Sequence, residues 1–257
     1  MPNATEAVVM AATLADGTPA VLKVLLPRWR ANAAHEIAVL RHAAGHGCVT
    51  LLDHDADRGA LLLERLGPSL YQLAMPFEQR IPVLIDVARA MWRPAPHLGL
   101  PTGADMARRQ AAEIAELWDR YDRPCSEGAI EAALACAARR AADHDDERAV
   151  LVHGDVHQWN ALQTLDGSGY KLIDPDGLVA EPEFDMGVLM REDLDELVAG
   201  GARARAAHLA AATGLDAERI WEWGVIQRAW NGLLSLDTGM AETGRHILDI
   251  VDALAVE

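Results

Sequence analysis

The stretch Val152-His153-Gly154-Asp155-Val156-His157-Gln158-Trp159-Asn160 sets a carboxylate and a carboxamide five positions apart. Fourteen residues beyond Asn160 stands a second carboxylate, Asp174, in Leu172-Ile173-Asp174-Pro175-Asp176-Gly177. Between them, Ala161–Leu165 and Tyr170–Ile173 read as short strands, turned by Asp166-Gly167-Ser168-Gly169. A strand pair fixes the separation of the groups at its two ends. Asp155 is suited to accept the proton of an attacking hydroxyl and hold that hydroxyl in line. Asn160 and Asp174 offer hard oxygen atoms to a magnesium ion bridging nucleotide phosphates. This order and spacing is that of a phosphoryl-transfer site.

Two other readings compete. A turn closed by the side chains of Asp155 and Asn160 would not need Asp174. A metal-hydrolase site would use His153, Asp155 and His157, yet no second His-rich or Cys cluster completes it. His153 and His157 are expected to brace the loop through backbone hydrogen bonds. Trp159, Trp223 and Trp230 are expected in packing roles, with substrate stacking as the minor alternative. A role for Trp221, Trp223 and Trp230 in lining an acceptor pocket is left open.

Upstream, Ala7–Ala11 and Ala20–Leu25 flank a turn at Asp16-Gly17 and predict a β-hairpin. Lys23 lies in its second strand. Ala33–Ala44 carries Ile37, Leu40 and Ala44 at helical spacing, is stopped by Gly45 and Gly47, and holds Glu36. A strand lysine paired with a helical glutamate orients the α- and β-phosphates of a nucleotide. Cys48–Leu52 and Ala60–Leu63 predict a second hairpin. Leu61-Leu62-Leu63-Glu64-Arg65-Leu66 fits a hinge whose backbone at Glu64 and Leu66 would pair with adenine. Gly67-Pro68 marks the expected lobe boundary, giving lobes of residues 1–66 and 67–257. Helical patterns follow over 79–91, 103–121 and 127–142, then 184–212 and 216–256.

Of 257 residues, 39 are Asp or Glu and 23 are Lys or Arg, a formal net charge of −16. Residues 67–257 carry −15 of this. Such a balance argues against nucleic acid as a partner; it reads first as solvated helix surface, with a cationic small-molecule ligand as the alternative. Three scattered cysteines predict free thiols in a reducing compartment. Neither a signal segment nor a membrane span is read, so a cytoplasmic monomer or weak dimer is expected.

The segments HGDVHQWN (153–160), KLIDPDGLVAEPEFDMGVLMRED (171–193) and NGLLSLDTGMAETGR (231–245) closely resemble the streptomycin 6-kinases. That family of aminoglycoside 6-phosphotransferases includes the hydroxyurea phosphotransferases. The resemblance spans nearly the whole chain and is sharpest over 150–193. It implies an α+β, two-lobed, protein-kinase-like fold, with a small β-rich first lobe and a larger helical second lobe. It also implies transfer of the γ-phosphoryl group of ATP, with Mg2+, to a hydroxyl of streptomycin or a related aminoglycoside. By position, Asp155 matches the catalytic base, and Asn160 and Asp174 match the magnesium ligands. Lys23 matches the nucleotide lysine, with Glu36 as its partner. Asp185 matches an aspartate expected to support the catalytic loop. Asp176, Glu181, Glu183, Glu192 and Asp193 are the acidic candidates for a cationic acceptor. Family members begin earlier, so a missing first strand is expected here, with Asn3–Ala7 on the far side of the phosphate-covering loop. Hydroxyurea or a metabolite hydroxyl is the alternative acceptor, and a non-catalytic remnant the alternative of another class.

Overall fold

The computed structural model of the chain describes residues 7–26 and 33–254. The expectation placed on Asn3–Ala7 lies, but for Ala7, outside them. The chain divides into two compact units. One takes the chain up to Leu100 together with His153–Gly177; the other takes Pro101–Val152 together with Leu178 to the end.

The first unit begins with a sheet of β1 (Ala7–Thr13), β2 (Pro19–Leu25), β3 (Leu51–Asp55) and β4 (Ala60–Glu64). All neighbours run antiparallel in the order β1-β2-β4-β3. The first hairpin turns where Asp16 Oδ1 accepts the Thr18 N–H at 2.9 Å and Gly17 takes φ +89°. Lys23 sits opposite Val9 on one neighbour and Leu61 on the other, so both sides of its strand are paired. Helix α1 (Ala33–Ala43) packs on β3 and β4, burying Ile37, Val39 and Leu40. Ala44 does not extend it; at φ +49° it begins the left-handed exit that Gly45 completes.

β3 starts three residues later than the sequence suggests. Cys48 bridges to Leu172 instead, with the Val49 N–H on the Leu172 carbonyl and the Leu172 N–H on that of Gly47, each at 2.8 Å. The apolar run is thus shared between the sheet and a second structure, the hairpin of β6 (Ala161–Gln163) and β7 (Tyr170–Leu172). Its turn is organised by Asp166 Oδ1, which accepts from the Thr164 hydroxyl and from the Ser168 N–H and hydroxyl. These bonds draw the Asp166 carboxyl down to about 2.

The expected boundary at Gly67-Pro68 falls inside this unit. The Gly67 N–H donates to the Gln163 carbonyl at 2.7 Å, and the Gln163 N–H returns to that of Pro68 at 2.9 Å. The Leu70 N–H reaches the Ala161 carbonyl at 2.9 Å. The segment adds itself to the β6–β7 hairpin, so a change of composition there is not a change of packing unit. Helix α2 (Phe77–Met91) packs against β7.

The second unit is mainly helical: α3 (Gly103–Arg120), α4 (Glu127–Ala142), α5 (Glu183–Leu189), α6 (Leu194–Gly200), α7 (Ala202–Thr213), α8 (Ala217–Asp237) and α9 (Ala241–Leu254). A capping box of Thr102 and Asp105 starts α3, Ser126 caps α4, and Asp216 caps α8. α5 lies so close to α8 that a Cβ at Gly187 would stand 2.2 Å from that of Trp223. β5 (Val150–Val152) pairs with β8 (Leu178–Ala180), a three-residue strand too short for alternation to reveal. Cys48, Cys125 and Cys136 are free and buried. Among the described residues, no helix is long and apolar enough to cross a membrane.

Candidate active site

The first unit brings Lys23, Glu36, Asp155, Asn160 and Asp174 onto connected elements. Lys23 Nζ, nearly buried, lies 2.7 and 2.8 Å from the two carboxylate oxygens of Glu36. It also donates to Asp174 Oδ1 at 3.0 Å. Burial draws the Lys23 pKa down, but the charges of Asp174 and Glu36 outweigh it, and the net shift is upward. The ammonium is therefore a fixed positive charge between two carboxylates from distant parts of the chain. Glu36 is buried, whereas the Asp174 side chain is about half exposed.

Asp174 has φ +56°, a costly conformation for a residue with a Cβ. The backbone beyond it holds that shape. His35 Nε2 stands 2.6 Å from the Asp176 carbonyl oxygen and 2.8 Å from that of Gly177, donating to both. Gly177, at φ +61°, presses so tightly on α1 that a Cβ there would lie 2.2 Å from Val39 Cγ2. Helix α1 thus anchors both the lysine's partner and the loop that follows Asp174.

The loop from His153 to Asn160 is braced by its own histidines, as the sequence suggests. His153 is wholly buried and donates from Nε2 to the Ile173 carbonyl at 3.0 Å, while its Nδ1 accepts the Asp155 N–H at 3.1 Å. With both ring nitrogens held by backbone groups, His153 is not a metal ligand. His157 Nδ1 accepts the Trp159 N–H at 3.2 Å, so its Nε2–H donates to Asp155 Oδ2 at 3.0 Å. Asn160 Nδ2 donates to the same Oδ2 at 2.9 Å and to the Asp155 carbonyl at 3.1 Å. The Asp155 carboxylate thus accepts from both the His157 ring and the Asn160 amide, whose nitrogen is used in doing so. Oxygen donors of Asn160 and Asp174 suit a hard divalent cation.

Burial pushes the His153 pKa down to about 4. A proton on Nδ1 would also displace the Asp155 N–H. The unfolded chain binds that proton near the ordinary value of 6.5, the native chain only near 4. The stability contributed by the neutral ring is complete above the higher value and is lost as pH falls between them. Between pH 7 and pH 5 this loss is about 2 kcal/mol. Urea unfolding of wild type and His153→Gln at both pH values should show it in wild type alone. Equal pH dependence in the two would contradict the assignment.

β4 ends at Glu64, whose N–H donates to the Thr50 carbonyl at 3.0 Å. Its carboxylate accepts the Thr50 N–H at 2.9 Å and pairs with Lys171 of β7. The Glu64 N–H is therefore engaged within the protein, which leaves the expected adenine pairing of the Glu64 and Leu66 backbone untouched at the Glu64 carbonyl. Leu66 follows β4 and is half-buried.

The acidic acceptor candidates separate by environment. Asp176 is exposed, and Glu192 and Asp193 are half-buried. Glu181 is buried in the second unit, where it accepts from Arg140 at 3.0 Å, Arg219 at 2.5 Å and the Trp223 indole at 2.8 Å. Arg140 Nε in turn lies 2.5 Å from Glu222. Glu183 is fully buried, accepts the Asp216 N–H at 3.3 Å and lies 3.6 Å from Arg148. Glu181 and Glu183 are thus corrected from acceptor contacts to structural carboxylates. The sequence shows the charge but not arginines some 35 to 40 positions away. Asp185 is wholly buried within α5. Trp223 is buried, Trp230 donates to Glu113 at 2.6 Å, and Trp221 lies under the Arg203 guanidinium at 3.5 Å. Trp159 alone among those three singled out for packing is exposed.

A lysine bound by a helical glutamate and by the aspartate after a β-hairpin, beside an Asp-x4-Asn loop, points to a kinase. The sequence profile of the aminoglycoside/hydroxyurea antibiotic resistance kinases matches residues 1–238. The chain belongs to this family. The aminoglycoside/hydroxyurea kinases are small-molecule phosphotransferases, and so is this chain. It is 29% identical to a streptomycin 6-kinase of Streptomyces glaucescens, over 93% of the chain and 78% of that protein. It is also 29% identical to a hydroxyurea phosphotransferase of Kitasatospora aureofaciens, over 91% of the chain and 67% of that protein. Among solved structures, it resembles a thermostable mutant of an aminoglycoside phosphotransferase in ternary complex with AMP-PNP and hygromycin B. The TM-score is 0.67 at 16% identity, covering 100% of this chain and 92% of the other. These likenesses establish a protein-kinase-like fold, as the sequence suggests.

His35 has no signal in the sequence, because its partners lie more than 140 residues away. The same holds for the joint of Lys171, Thr50 and Glu64.

Proposed function

We propose that this kinase transfers the γ-phosphoryl group of ATP to a hydroxyl of an aminoglycoside, with streptomycin as the acceptor. The observation that carries the reading is the grip of one buried ammonium, Lys23, on both Glu36 and Asp174. Lys23 holds the α- and β-phosphates of ATP, and Glu36 keeps it in place. Asn160 and Asp174 hold Mg2+, which when bound neutralises charge on the phosphate oxygens. Asp155, oriented by His157 and Asn160, accepts the proton of the acceptor hydroxyl as that oxygen attacks the γ-phosphorus. The adenine contact falls to the backbone at the end of β4 and just beyond it, at Glu64 and Leu66.

Streptomycin carries guanidinium groups, and a chain of net charge −16 speeds the arrival of such a cation. Asp176, Glu192 and Asp193 remain the acidic candidates for it. The relatives named streptomycin 6-kinase, at 29% and 27% identity, support this acceptor; the one named hydroxyurea phosphotransferase, at 29%, supports hydroxyurea as a second reading. Incubation with labelled ATP and each acceptor decides between them. Label in hydroxyurea alone would reject streptomycin.

In the same assay, His35→Ala should raise the KM for MgATP roughly two- to tenfold, the worth of one or two hydrogen bonds. The acceptor KM should stay unchanged, since His35 steadies only the loop carrying Asp174. An altered acceptor KM with unaltered nucleotide KM would contradict that role.

A further inference from the structure

Within the first unit, Tyr71 and Trp159 stack on each other with ring centroids 3.4 Å apart and planes 21° from parallel. Both are about half exposed, at 49% and 48%. Two large aromatic rings, stacked on each other and each half exposed, form a flat step with π surface in water. The fold ties this step to the catalytic loop. The Tyr71 N–H donates to the Gln158 carbonyl at 3.2 Å, and the Trp159 N–H to His157 Nδ1 at 3.2 Å. His157 then reaches Asp155 Oδ2 at 3.0 Å. The connection runs to the residue that meets the acceptor hydroxyl, not to the Lys23–Asp174 pair that serves the nucleotide. The other described tryptophans named above are engaged: Trp223 with Glu181, Trp230 with Glu113, Trp221 with Arg203.

We propose that the Tyr71–Trp159 step is an acceptor subsite that receives a flat cationic group, a guanidinium, on its exposed π surface. The proposal rests on the phosphotransferase reading above and adds the acceptor's recognition element. A guanidinium suits the place because it is planar, weakly hydrated and attracted to the electron-rich face of an indole or phenol. Rigid aromatic rings lose little entropy on binding, and their mutual stacking pre-orients them. An acceptor without a guanidinium gains less from the same surface, so the step favours streptomycin over hydroxyurea or an amine-only aminoglycoside.

The test uses the full chain with two readouts. Calorimetric titration with streptomycin, without nucleotide, compares wild type, Tyr71→Ala, Trp159→Phe and Trp159→Ala. Steady-state kinetics on streptomycin, kanamycin and hydroxyurea compares the same proteins. Because both rings are half exposed, the variants should fold, which circular dichroism checks. Loss of Trp159 should weaken streptomycin binding and raise its KM about three- to tenfold. Trp159→Phe should recover most of this, and the KM for MgATP should not move. An unchanged streptomycin affinity in Trp159→Ala overturns the subsite while wild-type turnover upholds the kinase reading. A rise in the MgATP KM instead also overturns it, by assigning the step to the nucleotide. A wild type that neither binds nor phosphorylates any of the three acceptors overturns both proposals.

Discussion

Asp155→Asn should lower kcat by about two to four orders of magnitude, the usual contribution of a positioned general base. The KM values for acceptor and nucleotide should stay within a few-fold. The substitution leaves an oxygen of nearly the same size in the same place. That oxygen can still accept from the His157 imidazole and from the Asn160 amide, both of which orient the native carboxylate. His153 still receives the backbone N–H at this position. The loop therefore keeps its shape, and only the basicity is lost. Steady-state kinetics with a coupled ADP assay measures the effect. Turnover within threefold of wild type would remove Asp155 from the chemical step.

The second large effect is on stability. Lys23→Met removes the ammonium from a site where Glu36 is buried and accepts two of its hydrogen bonds. A carboxylate left there without its cation costs about 3–5 kcal/mol, as for other broken buried ion pairs. Lys23→Met combined with Glu36→Leu replaces the pair by apolar side chains and should recover most of that loss. The double variant should nevertheless be unable to bind the nucleotide's phosphates productively, so stability returns without activity. Urea unfolding of the two single variants and the double variant measures the coupling. A double variant as unstable as the sum of the single ones would mean that the pair is not the unit that matters.

The residues proposed for the chemistry are easier to read from the sequence than the groups that hold them. Asp155, Asn160 and Asp174 are legible because hairpin geometry forces a fixed spacing between them. Lys23 and Glu36 are legible as a strand residue and a helix residue, and the structure joins them directly. His35, Lys171 and Tyr71 are not legible, because each meets partners that sequence spacing does not link to it. The acidic residues after Asp174 look alike in sequence, yet burial divides them. Glu181 and Glu183 have arginines and an indole brought to them by α4, α8 and the chain before β5, whereas Asp176 stays in water. The boundary at Gly67-Pro68 misleads for a related reason. A glycine and a proline mark a change of backbone direction, but the segment's hydrogen bonds go to Gln163 and Ala161, nearly a hundred residues on.

This chain is proposed to move the γ-phosphoryl group of ATP onto an acceptor hydroxyl at Asp155. Phosphorus NMR of wild type incubated with ATP, Mg2+ and streptomycin tests it most directly. The predicted result is a new phosphomonoester resonance that grows as ATP is consumed, needs Mg2+, and is lost in Asp155→Asn. Consumption of ATP yielding only inorganic phosphate, or an ester that forms equally well in Asp155→Asn, would contradict it.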